Sequence, residues 1–420
     1  MSLGLSAVIW GIITLSLLVL VHEGGHFFAA RALGLRVREF MIGLPGPKLS
    51  FKYKNTVYGI TAIPLGGYVK IVGMEGDGHS PLLEPVLTYI TTKQTVTLDE
   101  LAQHFDCTET KMYTVMTALK DLQAVTEDKT GAFHAEYVLN HEDDSSQLFA
   151  KVRANTYLTA PMWKRVTALL AGVFCNVAVA ILVFTVVLAG WGTYQDVGKI
   201  DTVAKSPAAL AGLTDGTRII SLDGIDVATF EELSAQIQKH HIGEEVTLSY
   251  TTDEDSSSVP KDLKVTLAKN PQSDTPFLGV SPHYVQVPLP VGEAFGTSFS
   301  YLWLTVKGIA GFFNPAKFVS SVNNSASVIG IAVVAAEAVR AGPIDYAWLV
   351  AAISLSLGLM NLLPIPPLDG GKIVLEIIEK IRRKPLSLNV SLAISMVGFS
   401  LLFMLMAYLM YNDIGRLIAR

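Results

Sequence analysis

Two histidines and a glutamate stand close together at the end of a long apolar stretch, where residues 22–26 read His22-Glu23-Gly-Gly-His26. On a helix, His22 and His26 are one turn apart and share a face. Two imidazoles at this spacing are typical of a zinc site, and the carboxylate of Glu23 can serve as general base on a water at the metal. A catalytic zinc needs a third protein ligand. The pentapeptide alone therefore also fits a chance match at the polar end of a spanning helix.

The third candidate ligand is Asp369, which follows an apolar segment and a run of prolines. Residues 361–371 read Asn-Leu-Leu-Pro-Ile-Pro-Pro-Leu-Asp-Gly-Gly. A lone aspartate at the end of an apolar helix is costly without a partner. Irregular backbone at membrane depth is tolerated only against protein or a water-filled cavity. The sequence thus predicts a buried polar site here, in which Asp369 joins His22 and His26 around one metal ion.

The composition predicts a multi-pass α-helical membrane protein. Half of the 420 residues are hydrophobic and only 16% are charged, whereas soluble proteins have roughly 25% charged residues. Four windows without charge each exceed the roughly 18 residues that mark a spanning helix. We expect four transmembrane helices, in residues 1–30, 160–192, 345–378 and 385–412. Residues 290–343 are expected to form amphipathic helices at the membrane surface, and 318–336, which carries several polar residues, could re-enter the membrane.

The distribution of lysine and arginine predicts the orientation. These residues are concentrated after the first span, before the second, and between the third and fourth. Loops rich in positive charge stay in the cytoplasm. We therefore expect a protein of the cell (inner) membrane, with the active site toward the cytoplasmic side and residues 196–345 outside the cytoplasm.

Taken together, the two motifs resemble those of the site-2 protease family of intramembrane zinc metalloproteases. The resemblance is closest to the bacterial regulator of sigma-E protease branch, and it covers residues 1–75 and 160–412. It implies that His22, His26 and Asp369 bind Zn²⁺, and that Glu23 is a general base that later protonates the leaving amine. It also implies that Asn361 contacts the substrate backbone or steadies the oxyanion. Asn361 has an alternative role as a residue that bends or caps the helix before the prolines.

A substrate helix must be unwound before it is cut, since its carbonyl groups are otherwise engaged. Residues 50–73 are rich in β-branched and aromatic residues, with a turn expected at Lys54-Asn55. An exposed edge here could bind an extended peptide by strand addition, and the resemblance implies a membrane-associated β-hairpin within 31–78. We expect Gly67, Tyr68 and Val69 to contact the substrate backbone. The alternative is a small β-subdomain that only packs.

A second small-residue motif occurs in the second span. Gly172 and Asn176 are four residues apart, and this pair resembles the small-x-x-x-Asn/Gly motif that the family packs beside its active site. The alternative is ordinary helix packing. Gly24 and Gly25 can likewise serve only to let helices approach closely.

Residues 196–288 read as an extracytoplasmic PDZ-like domain. Short β runs alternate with a brief helix at Ser206–Leu213 and a second at Phe230–His240, and the pattern resembles the PDZ domains of bacterial proteases. The sigma-E branch typically has two such domains, whereas only one is evident here. By analogy, its expected task is to admit only membrane stubs whose outer domain has been removed.

Residues 79–150 read as an inserted, winged-helix-like cytoplasmic domain, with three helices and a two-stranded wing at 124–139. Such domains often bind DNA, but residues 81–150 hold twelve Asp or Glu and four Lys, a net charge of −8. Phosphate binding needs a basic surface, so nucleic acid is disfavoured. We expect an unknown cytoplasmic protein as partner, and a plain structural insertion is the alternative. The scattered histidines His79, His104, His134 and His141 are expected at the surface rather than on a metal.

The sequence therefore favours an intramembrane zinc metalloendopeptidase that cleaves single-pass transmembrane proteins within the lipid bilayer. Membrane-anchored anti-sigma factors and remnant signal peptides are the expected substrate classes. The first alternative is a non-enzymatic membrane receptor or scaffold with a degenerate metal site. The second is a transporter that uses its intramembrane histidines and aspartate as a proton relay, which predicts a symmetry between the two halves that the sequence does not show.

Overall fold

The computed structural model describes residues 3–63, 66–74, 80–137, 145–252, 260–270, 273–323 and 325–418. In chain order the helices are α1 (Leu3–Ala32), α2 (Leu83–Lys93), α3 (Leu98–His104), α4 (Glu109–Asp121), α5 (Ser145–Arg153), α6 (Met162–Gly190), α7 (Pro207–Leu210), α8 (Phe230–Ile237), α9 (Val291–Gly311), α10 (Pro315–Asn323), α11 (Val328–Ala341), α12 (Pro343–Asn361), α13 (Asp369–Arg382) and α14 (Leu388–Ile418).

The strands are short and fall mostly in two regions of the chain. They are β1 (Val37–Ile42), β2 (Lys48–Tyr53), β3 (Thr56–Thr61), β4 (Gly67–Ile71), β5 (Thr95–Val96), β6 (Val125–Glu127), β7 (Phe133–Ala135), β8 (Thr193–Thr202), β9 (Arg218–Leu222), β10 (Ile225–Asp226), β11 (Glu245–Thr251), β12 (Lys261–Thr266), β13 (Ala268–Lys269), β14 (Pro276–Phe277) and β15 (Val280–Val287).

Four helices of the described residues, α1, α6, α12 and α14, are long and apolar enough to cross a membrane. They coincide with the four apolar windows of the sequence. Lipid offers no partner for backbone N–H and C=O groups, so a helix that satisfies all of them internally is the structure such segments adopt. The chain is therefore an integral membrane protein.

The third predicted span, 345–378, is wrong at its C-terminal end. Helix α12 ends at Asn361, and a separate helix, α13, begins at Asp369. Pro364, Pro366 and Pro367 lie in the intervening segment, where proline removes backbone donors and clashes with the preceding turn. The prolines thus break the helix where the sequence predicted, but residues 369–378 belong to a new helix rather than to the end of the span.

The described residues of 290–343 form the helices α9, α10 and α11, and the last of them packs on the first span; their location at the membrane surface stays a prediction. Helix α11 lies so close to α1 that a Cβ added at Gly11 would lie 2.6 Å from the Cβ of Ala332. Helices α10 and α11 together also have the length and composition of one bent span or a re-entrant segment. Asp413 of α14 accepts the backbone N–H of Ser327, the N-cap of α11, at 2.7 Å.

The segment after α1 forms a four-stranded sheet in the order β2-β3-β1-β4. Strands β2 and β3 form the expected hairpin, with Lys54 and Asn55 between them. The sequence-based expectation of a hairpin alone was incomplete, because β1 pairs in parallel with β3 and antiparallel with β4. The last strand, β4, contains Gly67, Tyr68 and Val69 and forms one edge of the sheet.

The insertion contains helices α2, α3 and α4 and a small sheet in the order β5-β7-β6. Thr97 and Thr108 cap α3 and α4 by accepting backbone N–H groups three residues on. A buried apolar core that includes Leu87, Met112 and Leu119 joins the helices. The helices and the two strands of the wing fall where the sequence placed them. Residues 138–139 of the expected wing lie outside the described residues. The winged-helix assignment stays a prediction.

Two of the scattered histidines, His104 and His134, contact other side chains of the insertion. The ring of His104 stacks on Tyr89 with a centroid distance of 4.1 Å, and His134 lies 3.0 Å from a carboxylate oxygen of Asp128. His79 and His141 lie outside the described residues.

Residues 185–294 form a second compact unit. It contains a sheet of order β10-β9-β11-β12 and the strand pairs β15-β8 and β13-β14. Ile200, Leu222, Val246 and Leu248 are among its buried core residues. Thr229 and Glu232 form a complete capping box at the start of α8. The succession of strands and the two helices matches the pattern expected of a PDZ-like domain, and the strands β13, β14 and β15 add to it.

Candidate metal centre

The structure brings His22, His26 and Asp369 together. In α1 the two histidines are one turn apart, and both are buried. One carboxylate oxygen of Asp369, Oδ2, lies 3.0 Å from Nε2 of His22 and 3.1 Å from Nε2 of His26. The two imidazole nitrogens are 3.2 Å apart. Three potential ligand atoms, contributed by residues almost 350 positions apart in the chain, therefore face one point.

Asp369 reaches this point because α13 begins there. The proline segment before α13 packs tightly against its first turn. A Cβ added at Gly370 would lie 2.1 Å from the carbonyl oxygen of Leu362, and one at Gly371 would lie 2.2 Å from the nitrogen of Pro366. Only glycine fits so close to backbone atoms. The Gly-Gly pair after Asp369 thus lets the proline segment fold back against the first turn of α13.

The donor set fits a zinc ion. Two imidazole nitrogens and one carboxylate oxygen are the kind of three-ligand set that catalytic zinc sites use, with a fourth position for water. Bonds of about 2.0–2.1 Å in a tetrahedron place ligand atoms roughly 3.3 Å apart, close to the distances between these three atoms. Within the described part of the chain, this is the group of His, Cys, Asp or Glu residues with metal-binding geometry.

The second ring nitrogen of each histidine faces α6. Nδ1 of His26 lies 2.7 Å from the carbonyl oxygen of Ala168, and Nδ1 of His22 lies 3.4 Å from Nδ2 of Asn176. Such contacts orient the rings of metal-binding histidines. Asn176 was expected only to pack beside the site. The contact with His22 was missed, although its spacing of four residues from Gly172 was the available signal.

Glycines let α1 and α6 approach closely at the site. A Cβ added at Gly25 would lie 2.4 Å from the carbonyl oxygen of Ala171, and one at Gly172 would lie 2.4 Å from Nε2 of His26. Gly25 and Gly172 therefore do what was expected of small residues in membrane helices. Gly24 does not, since the nearest atom to its added Cβ is 3.9 Å away, on the neighbouring Phe28 of the same helix.

Glu23 lies between the face of α1 that carries His22 and His26 and the edge of the sheet. It is half-buried. A Cβ added at Gly67 of β4 would lie 3.6 Å from Cγ of Glu23 and 2.8 Å from the carbonyl oxygen of Met41. The first residue of the edge strand is thus in contact distance of the candidate general base, and no larger residue fits there without a shift of β4.

Strand β4 is held to its neighbour β1 by side chains as well as by the ladder. Tyr68 donates a hydrogen bond from its hydroxyl to Oε2 of Glu39 at 3.1 Å. Burial alone would raise the pKa of Glu39, but the ammonium of Lys48 and the hydrogen bonds from Lys48 and Tyr68 outweigh it and lower that pKa below its usual value. Glu39 is therefore ionised at neutral pH and accepts the hydrogen bond from Tyr68 as a carboxylate.

Asn361 is placed differently from the other candidates. It is the last residue of α12, and its Nδ2 donates to the carbonyl oxygen of Leu357 at 2.9 Å. This bond runs to the carbonyl oxygen four residues earlier in its own helix, a pattern that often accompanies a bend in the helix. The hydrogen bonds described for Asn361 do not join it to His22, His26 or Asp369.

Comparison with known proteins identifies the family of the chain. The sequence model described as Peptidase family M50 matches residues 10–405. Zinc metalloprotease RasP of Shouchella clausii is 30% identical over 418 residues, which are 96% of this chain and 97% of that protein. Probable protease eep of Enterococcus faecalis is 29% identical over 435 residues, which are 98% of this chain and 99% of that protein.

Among solved structures, a PDZ domain of the SdrC-like protein from Listeria monocytogenes is 21% identical. The match covers 21% of this chain and 90% of that domain, with a TM-score of 0.18.

The spanning helices, the donor set and the full-length relatives define a membrane-embedded metalloprotease whose cofactor is zinc. The chain belongs to peptidase family M50. This decides against the non-enzymatic receptor and the transporter that the sequence alone left open.

Proposed function

We propose that this metalloprotease cleaves transmembrane segments of single-pass membrane proteins, with His22, His26 and Asp369 as its zinc ligands and Glu23 as its general base. The observation that carries this proposal is the position of strand β4. Its first residue lies within contact distance of Glu23, which is next to the three clustered ligands. A peptide added to this edge would pass directly over the reacting groups.

The chemistry divides between the metal and the side chains around it. When bound, zinc polarises the scissile carbonyl and lowers the pKa of a water molecule to about 7. Glu23 takes the proton from the attacking water and later delivers it to the leaving amine nitrogen. The two imidazoles and the carboxylate of Asp369 fix the position at which this happens, and their burial excludes bulk water.

Strand addition solves the problem of an intact substrate helix. An extended peptide exposes its carbonyl groups, and the backbone of an edge strand can bind it in register. Gly67, Tyr68 and Val69 are the proposed contacts, and the glycine keeps the edge close to Glu23. Asn361, which has a second amide hydrogen besides the one given to Leu357, is proposed to contact the substrate backbone beyond the metal.

The proposed setting is the cell membrane, with the site toward the cytoplasm and the PDZ-like unit outside. The lysines and arginines near the spans support this orientation. Anti-sigma factors and remnant signal peptides are the proposed substrate classes, with the PDZ-like unit excluding substrates whose outer domains are intact. The acidic insertion is proposed to bind a cytoplasmic protein rather than nucleic acid.

The test is to map the cleaved bond. Wild type and Glu23→Gln are reconstituted in lipid vesicles with a tagged single-span substrate, and the products are analysed by mass spectrometry. We expect wild type to cut inside the apolar segment. We expect Glu23→Gln to lose at least about 100-fold in rate, as loss of a general base does. Cleavage only in the soluble flanks, or equal rates for both proteins, would contradict the proposal.

A further inference from the structure

Asn176 is a fully buried polar residue that lies beside Nδ1 of His22, the ring nitrogen that does not contact Asp369. Its exposed fraction is 0%, and its Nδ2 lies 3.4 Å from Nδ1 of His22. Its Oδ1 is buried without a hydrogen-bond partner among the described residues. A buried amide oxygen with no partner is costly, so this arrangement calls for an explanation.

The residue is held firmly in this place. Ser354 of α12 donates from its hydroxyl to the backbone carbonyl of Asn176 at 2.9 Å. A Cβ added at Gly358, one turn further along α12, would lie 3.1 Å from the Cβ of Asn176. Helix α12 therefore presses Asn176 toward α1, and the side chain has little room to point elsewhere.

The protonation of His22 decides which end of the amide should face it. Nε2 of His22 is the atom directed at His26 and Asp369. A neutral imidazole that binds a metal through Nε2 carries its proton on Nδ1, which is then a donor. An amide nitrogen is also a donor, so the two would repel. A half-turn of the amide exchanges oxygen and nitrogen without changing the shape of the side chain.

We propose that Oδ1 of Asn176 accepts the Nδ1 proton of His22 and so fixes the tautomer and tilt of that ring for zinc. The half-turn replaces a contact between two donors by a hydrogen bond. His26 follows the same rule, since its Nδ1 lies 2.7 Å from the carbonyl oxygen of Ala168. Asn176 is thus a positioning residue that acts through His22.

The inference rests on the proposed function in one respect, that His22 is a zinc ligand. The experiment is therefore a titration of zinc affinity, by competition with a chromogenic chelator, in purified full-length protein. Asn176→Leu keeps the shape but removes the acceptor, and Asn176→Asp keeps an acceptor. Loss of an outer partner of a metal-binding histidine typically weakens metal binding about 10–100-fold.

We expect Asn176→Leu to lose zinc affinity by about that factor and Asn176→Asp to stay within about 3-fold of wild type. Asn389→Leu, the same change at an exposed position of α14, should leave the affinity unchanged. Equal affinity in Asn176→Leu and wild type, or equal loss in the Leu and Asp variants, would overturn the proposal. His22→Ala reports separately on the ligand assignment, because zinc retained there contradicts the proposed site itself.

A second measurement needs no variant of Asn176. Nitrogen-15 NMR of zinc-loaded, histidine-labelled protein distinguishes a protonated Nδ1 from a protonated Nε2. We expect the Nδ1-protonated tautomer at His22, whose signal is assigned by site-specific incorporation of labelled histidine at position 22 alone. A proton on Nε2 of His22 would overturn the proposal even if the Asn176 variants fail to fold.

Discussion

At the scale of single residues, the site depends on glycines as much as on its ligands. Gly172 and Gly67 have no side chain where one would collide with His26 or with the backbone of Met41. These glycines let α6 and β4 reach the histidines and Glu23 from two sides. The candidate ligands could be predicted from sequence because their types and spacing carry chemistry. The role of Gly67 as the residue nearest Glu23 required the fold.

Replacing Gly172 by alanine should damage the metal site directly. The added Cβ would lie 2.4 Å from Nε2 of His26, so the ring must move from its place. We expect zinc affinity to fall at least about 10-fold, the lower end of the range for disturbed ligand orientation, as measured by chelator competition. Gly308→Ala, at a position with no atom within 4 Å of the added Cβ, is the control. Unchanged zinc binding in Gly172→Ala would show that the helices can separate without cost.

Replacing Gly67 by valine should separate substrate binding from zinc binding. The added Cβ would lie 2.8 Å from the carbonyl oxygen of Met41, so β4 must shift from its place beside Glu23. We expect zinc content to stay at the wild-type level while cleavage falls by about 100-fold, the penalty for an ångström-scale misplacement. If Gly67→Val loses its zinc together with its activity, the expectation is wrong. Gly67 would then be needed to form the metal site rather than to bind substrate.

At the scale of elements, helix α13 carries Asp369 at its first residue and must be held in place. Glu376 lies two turns further along α13, and its Oε2 is 2.8 Å from Nη1 of Arg165 at the start of α6. The guanidinium of Arg165 also lies over the ring of Tyr157, 5.7 Å from its centroid. Both side chains of the ion pair are mostly buried. We interpret this contact as the anchor that fixes the direction of α13 and so the position of Asp369.

Breaking this anchor should cost stability. Removing one partner of a buried pair leaves an uncompensated charge and costs about 3–5 kcal/mol. We therefore expect Glu376→Leu to lower the unfolding temperature and weaken zinc binding. The double variant Glu376→Leu with Arg165→Met should recover much of the stability. Lys380→Leu, an exposed change on the same helix, should do neither. A Glu376→Leu protein as stable as wild type would show that this ion pair does not anchor α13.

The elements also show how far the sequence could be interpreted. The first, second and fourth spans and the hairpin turn at Lys54-Asn55 are local signals, and the structure has helices and a turn where they were predicted. Strand β1 was missed because its charged residues Arg38 and Glu39 interrupt the apolar pattern, and its partners come later in the chain. Residues 369–378 were assigned to the third span because the motif that ends in Asp369-Gly370 was kept in one segment with it, whereas the structure begins a separate helix at Asp369.

At the scale of the whole molecule, the insertion is attached to the sheet that carries the proposed substrate strand. Arg38 of β1 donates to the carbonyl oxygen of Lys120 at 3.0 Å, and Asp121 accepts the backbone N–H of Gly73, just after β4, at 2.7 Å. These contacts come from residues far apart in sequence and could not be predicted from it. A partner on the insertion would thus be close to the end of the strand that is proposed to hold the substrate.

The proposed orientation places the insertion and the second unit on opposite sides of the membrane. Single cysteines at the exposed positions Lys129 and Lys239 can be introduced after Cys107 and Cys175 are replaced by serine. In intact cells, a membrane-impermeant maleimide should label Lys239→Cys and should label Lys129→Cys only after the membrane is opened. The reverse pattern would invert the topology and put the site near the outer surface.

The proposed metal centre joins two imidazoles of the first span and one aspartate of the helix after the third around one zinc ion. X-ray absorption at the zinc edge of the purified protein measures this directly, together with the zinc content. We predict one zinc per chain, with two imidazole ligands and otherwise oxygen ligands, and loss of the stoichiometric zinc in Asp369→Ala and in His22→Ala. Sulfur in the zinc coordination shell, or one zinc per chain retained in both variants, would show that the metal is held elsewhere.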